Sequence, residues 1–147
     1  MYIDSCIIVK LLSAEPDSNF FDQALTGQPL SSSELAVTEV TSALLARERA
    51  GKLSERDRRL AWSQFEEWIE HEQIVLHRLD LRTLNKARQE LERCHPQIPL
   101  RTLDAIHVAA CDLSHDYPLA TTDGRMRQAA RRLKIPLFPE TLPNDTF

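Results

Sequence analysis

Four acidic residues, Asp4, Glu39, Asp104 and Asp123, stand where a parallel α/β chain would bring carboxylates to one crevice. In open parallel sheets, ligands bind beyond the carboxyl ends of the strands, so acids that immediately follow strands are the informative ones. Asp4 follows the apolar triplet Met1-Tyr2-Ile3, and Asp123 follows Leu119-Ala120-Thr121-Thr122. Glu39 lies just inside the helix after a second strand. Asp104 falls in the first turn of a helix expected to turn Leu103, Ile106 and Ala110 to the core. Two of the four acids are flanked by a hydroxyl: Ser5 after Asp4, and Thr122 before Asp123. Taken singly, an Asp at such a position commonly caps a helix by accepting backbone N–H bonds, and a lone Glu in a helix commonly faces water. Taken together, carboxylates converging on one crevice repel one another unless a cation neutralises them. A set of hard oxygen donors without His or Cys suits Mg²⁺ or Mn²⁺ better than zinc. Ions held in this way activate water and stabilise in-line displacement at phosphorus. The chemistry predicted from these residues is metal-dependent hydrolysis of a phosphodiester.

The elements that must position these acids follow from periodicity. Ile7, Ile8, Leu11 and Leu12 recur at helical spacing after Asp4, and Pro16 ends that helix. Asp17 is placed to cap a second helix, with Phe20, Phe21, Ala24 and Leu25 paired at i, i+4 and Gly27 as its stop. A short strand is expected over Pro29 to Ser32, then a helix marked by Val37, Val40 and Leu44 that closes at Gly51. Ser54 with Asp57 resembles a capping box, opening a helix whose inner face reads Leu60, Ala61, Phe65, Trp68 and Ile69. Ile74 to His77 reads as a strand. Asp80 caps a helix carrying Leu84, Ala87 and Leu91, and Thr102 is expected to cap the next. Leu119 to Thr121 reads as a strand, residues 126–133 as a helix, and Ile135 to Phe138 as a last strand. Pro136 suits a sheet edge, because it donates no ladder bond. A frayed tail is expected from about residue 140. Short strands alternating with helices specify an α/β fold, a parallel sheet covered by helices on both faces, and residues 1–147 read as a single domain.

Composition narrows the chemistry. The 147 residues include only three glycines, Gly27, Gly51 and Gly124, too far apart for GxxxxGK[ST] or GxGxxG, so phosphate is not cradled by a glycine-rich loop. A net charge of −4 disfavours bulk electrostatic binding of DNA, although metal ions and local basic patches can offset it. Cys6, Cys94 and Cys111 form no CxxC and read as reduced thiols of a cytoplasmic protein. No apolar run approaches the roughly 18 residues of a membrane span, and the acid at position 4 is unlike a signal-peptide leader. A phosphatase with Asp4 as nucleophile needs DxDx[TV], and a DxSxS metal site needs serines where Cys6 and Ile8 stand. Neither pattern is present.

The ordered segments YIDSC, SSSELAVTEV, RTLDAIHVAACD, LATTDGRM and AARRLKIPLF resemble the PIN domain family over essentially the whole chain. The short single-domain form is similar to the VapC-type toxins of bacterial toxin–antitoxin pairs. The resemblance implies a three-layer sandwich around a parallel sheet of about four to five short strands. It also implies a Mg²⁺- or Mn²⁺-dependent endoribonuclease that leaves 5′-phosphate and 3′-hydroxyl ends. Asp4, Glu39, Asp104 and Asp123 match the family's metal-binding acids, and Ser5 and Thr122 match the hydroxyl positions beside them. Three of the acids would hold one ion, with Glu39 completing that shell or placing a second ion. The resemblance implies as partners an RNA substrate, a second copy of the chain in a homodimer, and a cognate antitoxin whose tail lies across the site. The alternative is a PIN-like module that binds RNA or protein without cutting. One departure is that Cys6 stands where the family often has serine, which puts a local hydrogen bond in question.

Basic residues cluster after two of the acids. Arg125, Arg127, Arg131, Arg132 and Lys134 carry no intervening acid, and Arg47, Arg49 and Lys52 follow Glu39. Arg125, Arg127 and Arg47 are the expected contacts to RNA phosphates; the alternative is a solvated helix face. His107, three residues after Asp104, reads as a structural histidine rather than a ligand. His77, His95 and His115 share no zinc-like spacing. Phe20, Phe21, Phe65 and Trp68 read as core, and Glu66, Glu67, Glu70 and Glu72 as a solvated face.

Overall fold

The computed structural model describes residues 1–143; the last four residues of the expected frayed tail lie outside the described range. The chain runs β1 (Tyr2–Ile3), α1 (Ser5–Leu12), α2 (Ser18–Leu25), β2 (Leu30–Ser33), α3 (Leu35–Arg49), α4 (Glu55–Glu70), β3 (Ile74–His77), α5 (Leu81–Cys94), α6 (Thr102–Ser114), β4 (Leu119–Ala120), α7 (Gly124–Leu133) and β5 (Leu137–Phe138). The five strands form one sheet in the order β3-β2-β1-β4-β5, every neighbouring pair parallel. The order climbs outward from β1 on one side and restarts with β4 on the other. The switch point therefore lies between the carboxyl ends of β1 and β4, the place where such sheets open a crevice.

Successive strand side chains face opposite ways, and β1 shows the result directly. Ile3 packs with Ile7, Phe21, Val40, Leu44 and Phe65 under α1 to α4. Tyr2 packs with Val108, Leu119, Met126 and Ala130 under α6 and α7. Alanines at 87, 105 and 109 join α5 to α6. Glu90, fully buried, is neutralised by Lys86 at 2.6 Å and Arg93 at 3.1 Å, and Lys86 also reaches Asp112 at 2.8 Å to tie α5 to α6.

Helix starts follow capping chemistry closely. Asp4, Ser54, Asp80 and Asp123 each accept a hydrogen bond from the backbone N–H three residues on, as N-caps do. Two expected caps differ. Asp17 occupies the cap position of α2, but its carboxylate is drawn to Lys10 at 2.8 Å. Thr102 is the first residue of α6, and Arg101 occupies the cap without a side-chain bond.

The inner stripes are also narrower than the apolar pattern indicates. Leu60 is 58% exposed because α4 turns Ala61 and Phe65 inward, and Leu84 is exposed because α5 buries Thr83, Ala87, Glu90 and Cys94. Val37, Leu103 and Phe20 likewise lie on outer flanks.

Candidate active site

β1 is two residues long, so the chain leaves the sheet centre and enters α1 at Asp4. The Asp4 side chain, only 2% exposed, is met on both oxygens. Its Oδ1 accepts from the Ile7 N–H at 3.0 Å and the Cys6 thiol at 2.8 Å, and its Oδ2 accepts from the Thr121 hydroxyl at 2.5 Å. Burial pushes the Asp4 carboxyl above its ordinary range; the charge of His107 and the hydrogen bonds from Cys6, Thr121 and Ile7 only partly offset it. The position where Cys6 departs from the family pattern thus supplies its own donor. Burial, then the neighbouring Asp4, pushes the Cys6 thiol well up, so it stays protonated and able to donate. Thr121 was not singled out in the sequence. It is the hydroxyl that reaches Asp4, and its oxygen also accepts the Asp123 N–H at 3.0 Å. Thr122, the expected supporting hydroxyl, faces Cys6 Sγ at 3.4 Å instead.

Glu39 projects from α3 toward the same end. Its Oε2 accepts from the Ser5 hydroxyl and meets His107 Nε2 at 2.5 Å. Burial raises its carboxyl, but the hydrogen bond and charge of His107 and the hydroxyl of Ser5 outweigh that and hold it below the usual range. His107, 2% exposed, turns its other ring nitrogen to the Tyr2 hydroxyl at 2.8 Å, and Ser5 Oγ lies 3.1 Å from Nε2. The histidine read as structural is therefore buried, and it also contacts a candidate functional acid 68 positions away. A faint signal was available: Asp104 and His107 stand three apart on one helix, which places both near the same crevice.

Asp104 and Asp123 form a second grouping. Asp123 caps α7 through Met126 at 2.9 Å. Asp104 in α6 is half-buried, and its Oδ2 is shielded from solvent without a hydrogen-bond partner among the described residues. Burial first, and the charge of Asp123 second, push its carboxyl up; the Arg101 backbone and the charges of Arg125 and Arg101 work against them. Arg125 stands here with a buried Nε that is likewise unpartnered. An unanswered carboxylate oxygen beside a second carboxylate fits a hard divalent cation, in donor type and in charge. Asp4 and Asp123 follow β1 and β4, the strands that flank the switch point, but among the described residues no three acid, imidazole or thiol groups are drawn together as a ready-made metal cage.

A cleft of about 410 Å³ opens beside the first grouping, lined by Ser5, Cys6, Lys10, Glu39, Arg47 and Thr122 among others. Arg47, expected to face RNA, lies on this cleft and pairs with Glu15. Arg127 corrects the sequence reading. It is 3% exposed, and its guanidinium donates to the carbonyls of Thr121 (3.0 Å), Pro139 (2.8 Å) and Glu140 (2.9 Å). It therefore ties β4 to the segment after β5, and a phosphate could not reach it. A larger groove of about 640 Å³, lined by Leu25, Pro29, Trp68 and Ile74 among others, contains none of the four acids.

Residues 1–132 match the family model of the PIN domain. The chain belongs to the PIN domain family. It is similar to "Ribonuclease VapC46" of Mycobacterium tuberculosis (strain ATCC 25618 / H37Rv), with 38% identity over 139 residues, covering 90% of this chain and 92% of that protein. The five-stranded parallel sheet between helices is the PIN architecture expected from the sequence. No helix among the described residues of this PIN domain is long and apolar enough to cross a membrane.

Proposed function

We propose that this PIN domain is a Mg²⁺- or Mn²⁺-dependent endoribonuclease, the toxin of a type II toxin–antitoxin pair, acting in the cytoplasm. Its partners on this reading are an RNA substrate, a cognate antitoxin and a second copy of the chain, and residues 1–147 form the one domain. The observation that carries the reading is Asp104 Oδ2, buried without a partner beside Asp123 at the switch point of the sheet. Membership of the PIN family and the likeness to a protein named a ribonuclease give the substrate class.

Asp104, Asp123 and Asp4 would hold the ion, with Glu39 completing the set or placing a second ion. When bound, such an ion supplies positive charge to the phosphodiester and acidifies water. The chain's own residues provide the rest. Ser5 and His107 fix Glu39 through one oxygen. Thr121 and Cys6 fix Asp4, and the Thr121 hydroxyl links Asp4 to the backbone at Asp123. Arg125 and Arg47 stand at the two groupings to meet phosphates of the substrate. Purified protein is expected to cleave RNA with Mn²⁺ or Mg²⁺, and to lose cleavage in EDTA, in Asp4→Asn and in Asp104→Asn. Cleavage that persists in EDTA or in both variants overturns the reading.

A further inference from the structure

We infer that His107, braced by Tyr2, is the positioning residue for Glu39, aiming the carboxylate's second oxygen at the cleft; the inference rests on the metal-nuclease reading of this site. Three geometric facts carry it. The imidazole is bonded on both ring nitrogens, with Nε2 at 2.5 Å from Glu39 Oε2 and Nδ1 at 2.8 Å from the Tyr2 hydroxyl. A carboxylate has no hydrogen to donate, so the Nε2 atom facing it carries the N–H. At Nδ1 the partner is a hydroxyl, which both donates and accepts and so keeps the ring in this orientation in either charge state. Tyr2 is itself fully buried in β1, with its ring edge-on to the imidazole at 5.9 Å, so the brace is fixed by the sheet.

The consequence falls on Glu39. Its described hydrogen bonds, from Ser5 and His107, both end on Oε2. Two donors on one oxygen set the plane and rotation of the carboxylate of a residue that lines the cleft, and Oε1 carries no described hydrogen bond. Partners of this kind, a carboxylate and an imidazole each held by a further group, orient ligands at metal sites and typically matter 10–100-fold. Tyr2, His107 and Glu39 come from β1, α6 and α3, so the chain of bonds joins three elements at one acid.

Two variants and two kinds of readout test this. His107→Leu is expected to weaken Mn²⁺ binding, measured by calorimetry on the full chain, by about 10–100-fold, while His107→Gln, which keeps an N–H at similar reach, recovers most of it. The Mn²⁺ concentration for half-maximal RNA cleavage should rise in parallel. Tyr2→Phe keeps the packing and removes only the hydroxyl, so it covers the case in which His107→Leu folds poorly; its expected effect is smaller and in the same direction. In a Glu39→Gln background neither substitution should weaken Mn²⁺ further. By ¹⁵N NMR the His107 Nε2 should resonate as a protonated nitrogen. Wild-type Mn²⁺ affinity in His107→Leu or undiminished loss in the Glu39→Gln background overturns the inference, as does a bare Nε2. If the Mn²⁺ and NMR results hold but wild-type protein cleaves no RNA, the nuclease reading fails while the positioning role stands.

Discussion

Asp4 and Glu39 sit among donors, whereas Asp104 feels the charge of Asp123 with one of its oxygens unanswered. Asp4 is met by a backbone N–H, a thiol and a hydroxyl, and Glu39 by a hydroxyl and an imidazole. Asp104 has a buried oxygen with no described partner, and burial first and the charge of Asp123 second raise its carboxyl. Donors from the fold hold the first pair in place, each hydrogen bond to a charged group worth about 1.5–3 kcal/mol, although burial still raises the Asp4 carboxyl. The second pair carries an electrostatic deficit that a divalent ion would fill. Removing Asp4 should therefore damage the fold, whereas removing Asp104 should relieve it.

The largest expected effect is on chemistry. Asp104→Asn should lower RNA cleavage by about 10³-fold, in keeping with the several kcal/mol a bound ion contributes, with thermal stability in EDTA unchanged or raised. A variant that cleaves normally, or that unfolds, would erase the contrast between the groupings. Next comes Arg127→Ala, expected to cost about 3 kcal/mol in urea denaturation because three carbonyls lose a charged donor. Arg125→Ala should leave the denaturation midpoint in place and weaken RNA binding in EDTA a few-fold; equal stability losses at 125 and 127 would contradict the buried tether.

Asp4→Ala should cost about 2 kcal/mol, losing a helix cap and leaving the Thr121 and Cys6 donors without an acceptor, while Asp104→Ala should not. Paired denaturation curves without metal decide it.

A pH series sharpens the same contrast. The Asp104 carboxyl is raised in the folded protein, so the folded state holds its proton more tightly than the unfolded chain does. The stability this confers is complete below the ordinary carboxyl value of about 3.9 and is lost as pH rises through the folded value. Asp104→Asn escapes that loss, so its stability relative to wild type should grow from about pH 4 toward neutrality. A flat difference across that range would contradict a carboxyl raised by burial and by the neighbouring Asp123. The smallest effect belongs to Cys6→Ser: a hydroxyl replaces the thiol as donor to Asp4, and cleavage should stay within about threefold.

Residue order shows which acids stand at strand ends and helix starts but not the contrast between them, and the unread parts share a cause. Asp4 and Asp123 were legible because a strand ends just before each, and capping chemistry is local. Ser54 with Asp57 was legible for the same reason. His107 was not, since its partners Tyr2 and Glu39 are 105 and 68 positions away and only the folded sheet brings them together. Residue order favours Thr122, next to Asp123, over Thr121, because a two-residue strand leaves the facing direction of the next side chain undetermined. Arg127 misled because a run of basic residues reports charge density and not helix rotation. The rotation was available in part: Met126 and Ala130 set the inner stripe, and Arg127 sits on its flank.

The central strand also sets an order in time. Asp4 receives its Thr121 bond across 117 positions, and β1 pairs with β4 as well as β2. At about 5–20 residues per second, roughly 6–23 s of synthesis separate the two ends of that bond. A ribosome carrying a partly made chain therefore holds Asp4 without the strand that anchors it. All four carboxylates can be present together only once Asp123 has been made, so no shorter nascent chain carries the whole set.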